Sequence, residues 1–296
     1  MAKTELQQEL EKEVNRVRGS YYPVYVGLLR RVLTRHAALK KLHPNPADEF
    51  CFPEIGPNYE IVAGYEKNYR SARGSISELR FINPAAAEPL QVQKTKPDGY
   101  MILNGHHRWA GAKRAGMKRL PIRIVNLTQL KNILKFIDKS DSDKRVTLDL
   151  DEVVLNPEDG VEKPLMFPLN RIYRERLRSG IPALFFTLNR YGYDIWVYTA
   201  NYYSLDYLRR LFLFYRVKVT GIITGTTRKT AEGDPDKEKA QQLIENKYRT
   251  TLHIDNGTVL RILRDEKKYE EYPLKKTEAG WSGEVIRIIG EIERHE

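Results

Sequence analysis

"VTLDLDEVVLNP", residues 146–157, places two carboxylates two residues apart at the end of an apolar run. Read as a strand, the stretch turns Asp149 and Asp151 to the same side, because strand side chains alternate with period two. Two anions held that close repel each other unless a cation lies between them. A Mg²⁺ ion and a phosphate suit that geometry.

Working outward from this stretch, strand and helix patterns alternate. "VTLDLD" is followed by helical "LNRIYRERLRSG" and "IPALFFTLNRYG", then by the strand "DIWVYTA". Next come helix "SLDYLRRLFLFYR", strand "VTGIITG", helix "DKEKAQQLIENKY" and strand "TTLHIDN". Such alternation predicts right-handed crossovers and a parallel sheet covered by helices. In open parallel sheets ligands bind beyond the carboxyl ends of the strands. Three of these strands end in polar residues: Asp149 and Asp151, then Thr199 in "VYTAN", then Asp255 and Asn256 in "HIDN". Lys237 or Lys239 of "DPDKEKA" could reach the same edge. Lys237 is preferred, because Asp234-Pro235 reads as an N-cap and first helical residue.

The order and spacing of "DLDEV", "VYTAN" and "HIDN" resemble the haloacid-dehalogenase (HAD) superfamily of aspartate-nucleophile phosphatases, over about 145–260. The patterns look most like the branch of the small C-terminal-domain protein phosphatases, DLDETLV, TAS and DN, with Asn201 where that branch has Ser. The resemblance implies that Asp149 attacks phosphorus and that Asp151 moves protons. It implies that Thr199 and Lys237 hold phosphoryl oxygens. It further implies Mg²⁺ held by Asp149, the backbone carbonyl of Asp151, and Asp255 or Asn256. About 45 residues separate Asp151 from Thr199, which leaves room for a flap but not for a large cap domain.

The first half carries a different loop. "ILNGHHRWAGAKRAG" reads as strand, glycine turn and helix, an arrangement that aims backbone N–H groups at an anion. Asn104, Gly105, His106, His107 and Arg108 are the candidate phosphate- or nucleotide-binding residues, with Arg108 able to grip phosphate through two parallel hydrogen bonds. The stretch is similar to the ParB/sulfiredoxin-like superfamily, whose members carry a D/N-G-H-x-R or G-E-R-R loop before a helix. That resemblance points to nucleotide phosphates. Sulfiredoxin chemistry is excluded, since the loop holds histidine where a cysteine is required. Upstream, "ELQQELEKEVNRVR" and "PVYVGLLRRVLTRHAALKKL" read as helices, and residues 76–103 as short strands around the turn "KPDGY".

The expected architecture is therefore α/β in three parts. A helical extension spans 1–45, an α+β ParB/sulfiredoxin-like domain spans 46–140, and a HAD-like parallel-sheet domain with a minimal cap spans 145–296, the boundary lying near 140–145. Composition agrees with a globular protein: 41% hydrophobic and 30% charged residues over 296. A single cysteine, Cys51, excludes an internal disulfide and a thiolate cluster. The opening "MAKTELQQELEKE" has no apolar core of a signal peptide, and the expected location is cytoplasmic, with no membrane partner. The net charge of +11 belongs wholly to residues 1–140, which carry 24 Lys and Arg against 13 Asp and Glu. Such a basic region suits phosphate-bearing ligands. The expected function is a Mg²⁺-dependent phosphohydrolase with an appended nucleotide-binding domain. Its partner would be a phosphorylated small molecule, protein or nucleic-acid end. The alternatives are a nucleotide-dependent kinase, alone or opposed by the phosphatase, and a basic nucleic-acid-binding module on a degenerate HAD scaffold.

Overall fold

The computed structural model of the chain describes residues 5–73, 75–225, 235–275 and 280–294. Its contacts divide into two units, separated along the chain between Asn126 and Leu127.

In the first unit the strands are short: β1 (Tyr22–Pro23), β2 (His36–Ala38), β3 (Leu42–His43), β4 (Leu90–Lys96), β5 (Tyr100–Asn104) and β6 (Arg119–Ile124). They form one sheet in the order β2-β6-β4-β5-β3, with β1 pairing separately with β4. In β4, Leu90 and Val92 are buried while Gln91 and Gln93 are half-exposed, the alternation of a sheet with one face on a core. The helices Tyr59–Ser71 and His106–Arg114 pack on that core at close range. A Cβ at Gly111 would stand 2.6 Å from Tyr65 Cβ and 2.9 Å from the Glu66 nitrogen, so glycine permits the approach. The helix Glu5–Val17 adds Leu6, Leu10 and Val14 to the same core, a four-residue spacing along one face.

Two sequence expectations fail here. The long helix of residues 23–42 shrinks to Leu28–Leu33, because Tyr22–Pro23 pairs with β4 and His36–Ala38 with β6. Sheet pairing overrides a helical pattern that had no second face to bury. The N-terminal 45 residues are thus not a helical extension but supply three strands of the sheet. Conversely, the presumed strands before residue 88 are the helices Ile76–Ile82, capped by Ser75, and Pro84–Ala87, capped by Asn83.

The second unit contains β7 (Lys144–Asp149), β8 (Asp194–Thr199), β9 (Gly221–Thr224), β10 (Thr250–Ile254), β11 (Thr258–Leu263) and β12 (Lys268–Pro273). They form a sheet in the order β12-β11-β10-β7-β8-β9. The four strands β10, β7, β8 and β9 are parallel, and β11 and β12 add an antiparallel edge. The chain steps from β7 outward through β8 to β9, then returns to the other side of β7 as β10. That reversal makes the carboxyl end of β7 the switch point at which such sheets open a crevice.

Helix Ile181–Arg190 packs against Gly280–Arg294, and Leu130–Ile137 against Pro235–Lys247. Ile133 and Phe136 lie in the second core, so the division falls before this helix and not at 140–145. A buried polar network ties the core. Trp196 donates to the Tyr248 hydroxyl (2.9 Å), which donates to Asp194 (2.8 Å), and Asp194 also accepts from Ser140 (2.7 Å) and Thr220 (3.1 Å). With its members satisfied, such a network holds one arrangement of the strands. Among the described residues no helix is long and apolar enough to cross a membrane.

Candidate active site

The carboxyl edge of the second sheet gathers polar residues from the ends of three strands, aspartates from β7 and β10 and Thr199 from β8. Asp149 is the last residue of β7 and caps the turn that follows. Its Oδ1 accepts from the backbone nitrogens of Asp151 and Glu152, both at 2.7 Å. Asp151 is therefore not on the strand. It sits in a single wide turn, Leu150–Val154, closed by the Leu155 nitrogen on the Leu150 carbonyl at 2.8 Å. Strand alternation is not what brings the two aspartates together; the cap does. Wide turns of this kind recur at functional sites. The second oxygen of Asp149 accepts no hydrogen bond among the described residues.

Asp151 turns toward the end of β8. Its Oδ2 accepts from the Thr199 hydroxyl at 2.6 Å, and Thr199, fully buried, itself accepts from the Asn201 nitrogen at 3.0 Å. The Tyr203 hydroxyl also lies against Asp151; burial first, then the charges of Asp151 and Glu175, pushes it up to about 12. It stays protonated and acts as a donor. Thr199, expected to hold a phosphoryl oxygen, instead orients Asp151.

Beyond β10 stand Asp255 and Asn256. Asp255 is exposed, with Oδ1 accepting from the Asn256 nitrogen at 2.7 Å. Asn256 is committed: its amide donates to the Glu152 carbonyl at 3.0 Å and its Oδ1 accepts from Arg178 at 2.7 Å. Asp255, rather than Asn256, is the side chain left for a metal. Asp149, the Asp151 carbonyl and Asp255 are all hard oxygen donors, the chemistry Mg²⁺ takes. Among the described residues no group of three or more His, Cys, Asp or Glu side chains converges as a metal cluster. The expected set has two carboxylates, Asp149 and Asp255, and would need the Asp151 carbonyl to complete it.

For the lysine, Lys237 falls in the first turn of helix Pro235–Lys247, but its side chain lies outside the described residues, as does Asp234. Lys239 is exposed. Lys247 is engaged elsewhere, donating to the Ile137 carbonyl at 2.6 Å and to that of Ser140.

The first unit has the expected strand, turn and helix, yet its side chains face differently. Gly105 adopts φ +103°, and a Cβ there would lie 2.3 Å from Leu90 Cδ2 and 3.0 Å from the Arg108 guanidinium. Only glycine fits. His106, 4% exposed, accepts from the Asn45 nitrogen at 3.2 Å through Nε2, which assigns the ring proton to Nδ1, 3.4 Å from Asp48. Burial pushes its pKa down to about 4 against the opposing pull of Asp48. His107 accepts from the Asn58 nitrogen at 3.1 Å, and burial lowers its pKa too. Phe50 packs between the two rings, at 5.4 and 4.9 Å. Arg108, 8% exposed, donates to the carbonyl of Glu88 (2.9 Å) and to Asn104 Oδ1 (3.3 Å). The histidines staple the 45–58 loop and Arg108 ties the Pro84–Ala87 segment. Among the described residues, both histidine rings and both terminal nitrogens of Arg108 are engaged by the fold.

Arg178 and Tyr203 were missed from sequence. Tyr203 follows "VYTAN" closely enough to be suspected, but Arg178 stands among five Arg and Lys residues of 163–178 with nothing to single it out.

Comparison with known proteins bears mainly on the first unit. No curated protein matches the chain. Two solved structures of the C-terminally truncated chromosome-partitioning protein ParB from Caulobacter crescentus are similar in part. The one complexed with CTP-gamma-S is 26% identical, over 37% of this chain and 55% of that one, with a TM-score of 0.24. The one complexed to the centromeric parS site is 24% identical, over 36% and 48%, with a TM-score of 0.23. The chain thus spans about half the length of the ParB chains it matches. The family model that matches is the ParB N-terminal domain, over residues 73–137, a stretch that includes the Gly105 turn and its helix.

Proposed function

We propose that the second unit is a Mg²⁺-dependent phosphohydrolase of the HAD type, working through an aspartyl-phosphate on Asp149. One observation carries the reading: the ends of β7, β8 and β10 deliver their polar residues to a single turn. Asp149 caps it, Thr199 holds Asp151 within it, and Asn256 bonds its Glu152 carbonyl.

In the first step the unengaged oxygen of Asp149 bonds to phosphorus as the bond to the leaving oxygen breaks. Asp151 gives that oxygen its proton, and Thr199 fixes the carboxyl in reach. In the second step water attacks the acyl phosphate, Asp151 takes the water's proton, and phosphate leaves with Asp149 restored. Bound Mg²⁺, held by Asp149, the Asp151 carbonyl and Asp255, would offset the charge on the phosphoryl oxygens. Lys237 or Lys239, expected at this edge from sequence, would add to that offset. The test is phosphate release from p-nitrophenyl phosphate, with and without Mg²⁺, by wild type and Asp149→Asn. Activity that persists in the variant, or without metal, overturns the reading.

The first unit serves in this proposal as a nucleotide- or phosphate-binding platform. The ParB N-terminal match over the Gly105 turn supports it. Because His106, His107 and Arg108 are engaged, the anion contact falls to the first-turn backbone N–H groups. Titration of ATP, ADP and CTP against the full chain tests it. Nucleotide consumption that survives Asp149→Asn would favour a kinase in the first unit. Nucleic-acid affinity falling steeply with log[salt] would favour the binding-module alternative.

A further inference from the structure

We infer that Arg178 is a positioning residue for the metal side of this site, acting through Asn256 rather than on substrate. The inference rests on the proposed hydrolase reading for the identity of the metal, but its geometry stands apart from the reaction.

Arg178 is 2% exposed, which is costly for a cation unless each face of the guanidinium is satisfied. Here it is. Nε donates to Asp159 at 3.1 Å, Nη2 donates to the same carboxylate, and Nη1 donates to Asn256 Oδ1 at 2.7 Å. Its Cζ lies 4.1 Å from the centroid of the Trp281 ring, a cation–π contact. Its backbone nitrogen donates to the Val154 carbonyl at 2.8 Å, at the end of the wide turn.

The same stack reaches both residues that follow β10. Trp281 donates from its indole nitrogen to the Asp255 carbonyl at 3.2 Å, while Arg178 holds the Asn256 amide oxygen. With that oxygen fixed, the Asn256 nitrogen faces the Glu152 carbonyl, and Asn156 donates to the same carbonyl at 2.9 Å. One buried cation therefore locks the Asp255–Asn256 pair to the turn capped by Asp149. Without the lock, Asn256 Oδ1 keeps only the long contact from Asn156 at 3.4 Å, and the orientation of the Asp255–Asn256 pair toward the turn is less firmly set. Such outer partners, when removed, typically cost about 10–100-fold in metal affinity or activity.

The test uses the full chain and Mg²⁺ alone, by calorimetry, with hydrolysis as a second readout. Arg178→Lys keeps the charge and loses the fork; Asn256→Ala removes the group it acts through. Each is expected to weaken Mg²⁺ binding about 10-fold or more. The double variant is expected to be no weaker than the worse single, since both break one chain of contacts. A merely structural arginine would lower the melting temperature and leave the Mg²⁺ affinity of the folded protein unchanged. That outcome, or additive effects in the double variant, overturns the inference. Should Arg178→Lys not fold, Asp159→Asn, which leaves the guanidinium and removes its counter-charge, is expected to shift Mg²⁺ affinity in the same direction, and an unchanged affinity overturns the inference. A wild type that binds Mg²⁺ but hydrolyses nothing sinks the hydrolase reading and leaves this one to the affinities. A wild type that binds no Mg²⁺ ends both.

Discussion

The two units present the same local device and use it differently. In each, a strand ends in polar residues and a turn follows: Asn104-Gly105-His106 after β5, Asp149-Leu150-Asp151 after β7. In the first unit the polar side chains fold back. His106 and His107 accept from loop nitrogens and Arg108 is spent on carbonyls. In the second, Asp149 spends one oxygen on the turn and keeps the other, and Asp151 is oriented by Thr199. Residue type at a strand end does not distinguish a staple from a reactive group. What distinguishes them is whether hydrogen-bonding capacity is left over once the fold is built.

The comparison breaks most sharply at Asp149. Asp149→Asn keeps the shape of the cap but removes the proposed nucleophile, and is expected to lower phosphate release by about 10³-fold or more while the protein still melts cooperatively. If activity survives, Asp149 is as structural as His106.

The next largest effect belongs to the first unit's turn. Gly105→Ala forces a side chain into positive φ and onto Leu90, and is expected to cost about 2–4 kcal/mol in urea unfolding of that unit. A cost near zero would mean that the turn is not the rigid staple described above.

Thr199→Val removes the donor to Asp151 and, on the proposed reading, is expected to reduce kcat by about 10–100-fold, with KM little changed, as suits a group that orients the proposed acid. An effect on KM alone would return Thr199 to the phosphate-holding role expected from sequence.

The smallest effect is a pH dependence. Burial depresses His106 to about 4 from its usual 6.5, so the native state prefers the neutral ring. Its stabilisation is complete above 6.5 and is lost as pH falls from there towards 4. By about pH 5.5 the first unit is expected to lose about 1 kcal/mol, and His106→Gln to flatten that slope. A slope unchanged by the substitution would show that the proton enters elsewhere.

Much of this protein was legible in the chain. The parallel strands β7, β8 and β10 announce themselves as apolar runs ending in Asp, Thr and Asp-Asn, and β5 and its helix as "YMILN" followed by a glycine. Where the chain offered only helical spacing, as at residues 23–42, pairing with β4 and β6 prevailed. The helix Leu130–Ile137 looked like the end of the first domain, because nothing in "LKNILKFI" says which core receives Ile133 and Phe136. The strand hairpin of β11 and β12 and the final helix had no part in the sequence reading at all.

Residue types, their order and their places at strand ends were determined by the sequence alone, because alternation and turn chemistry are local. Which of those side chains remain available was decided only by tertiary structure. Thr199 was taken by Asp151, Asn256 by Arg178 and Glu152, and His106 by Asn45. Each of these partners lies 48 to 104 residues away. A hydrogen bond over that distance leaves no period and no spacing in the chain, since it depends on where the sheet brings the backbone.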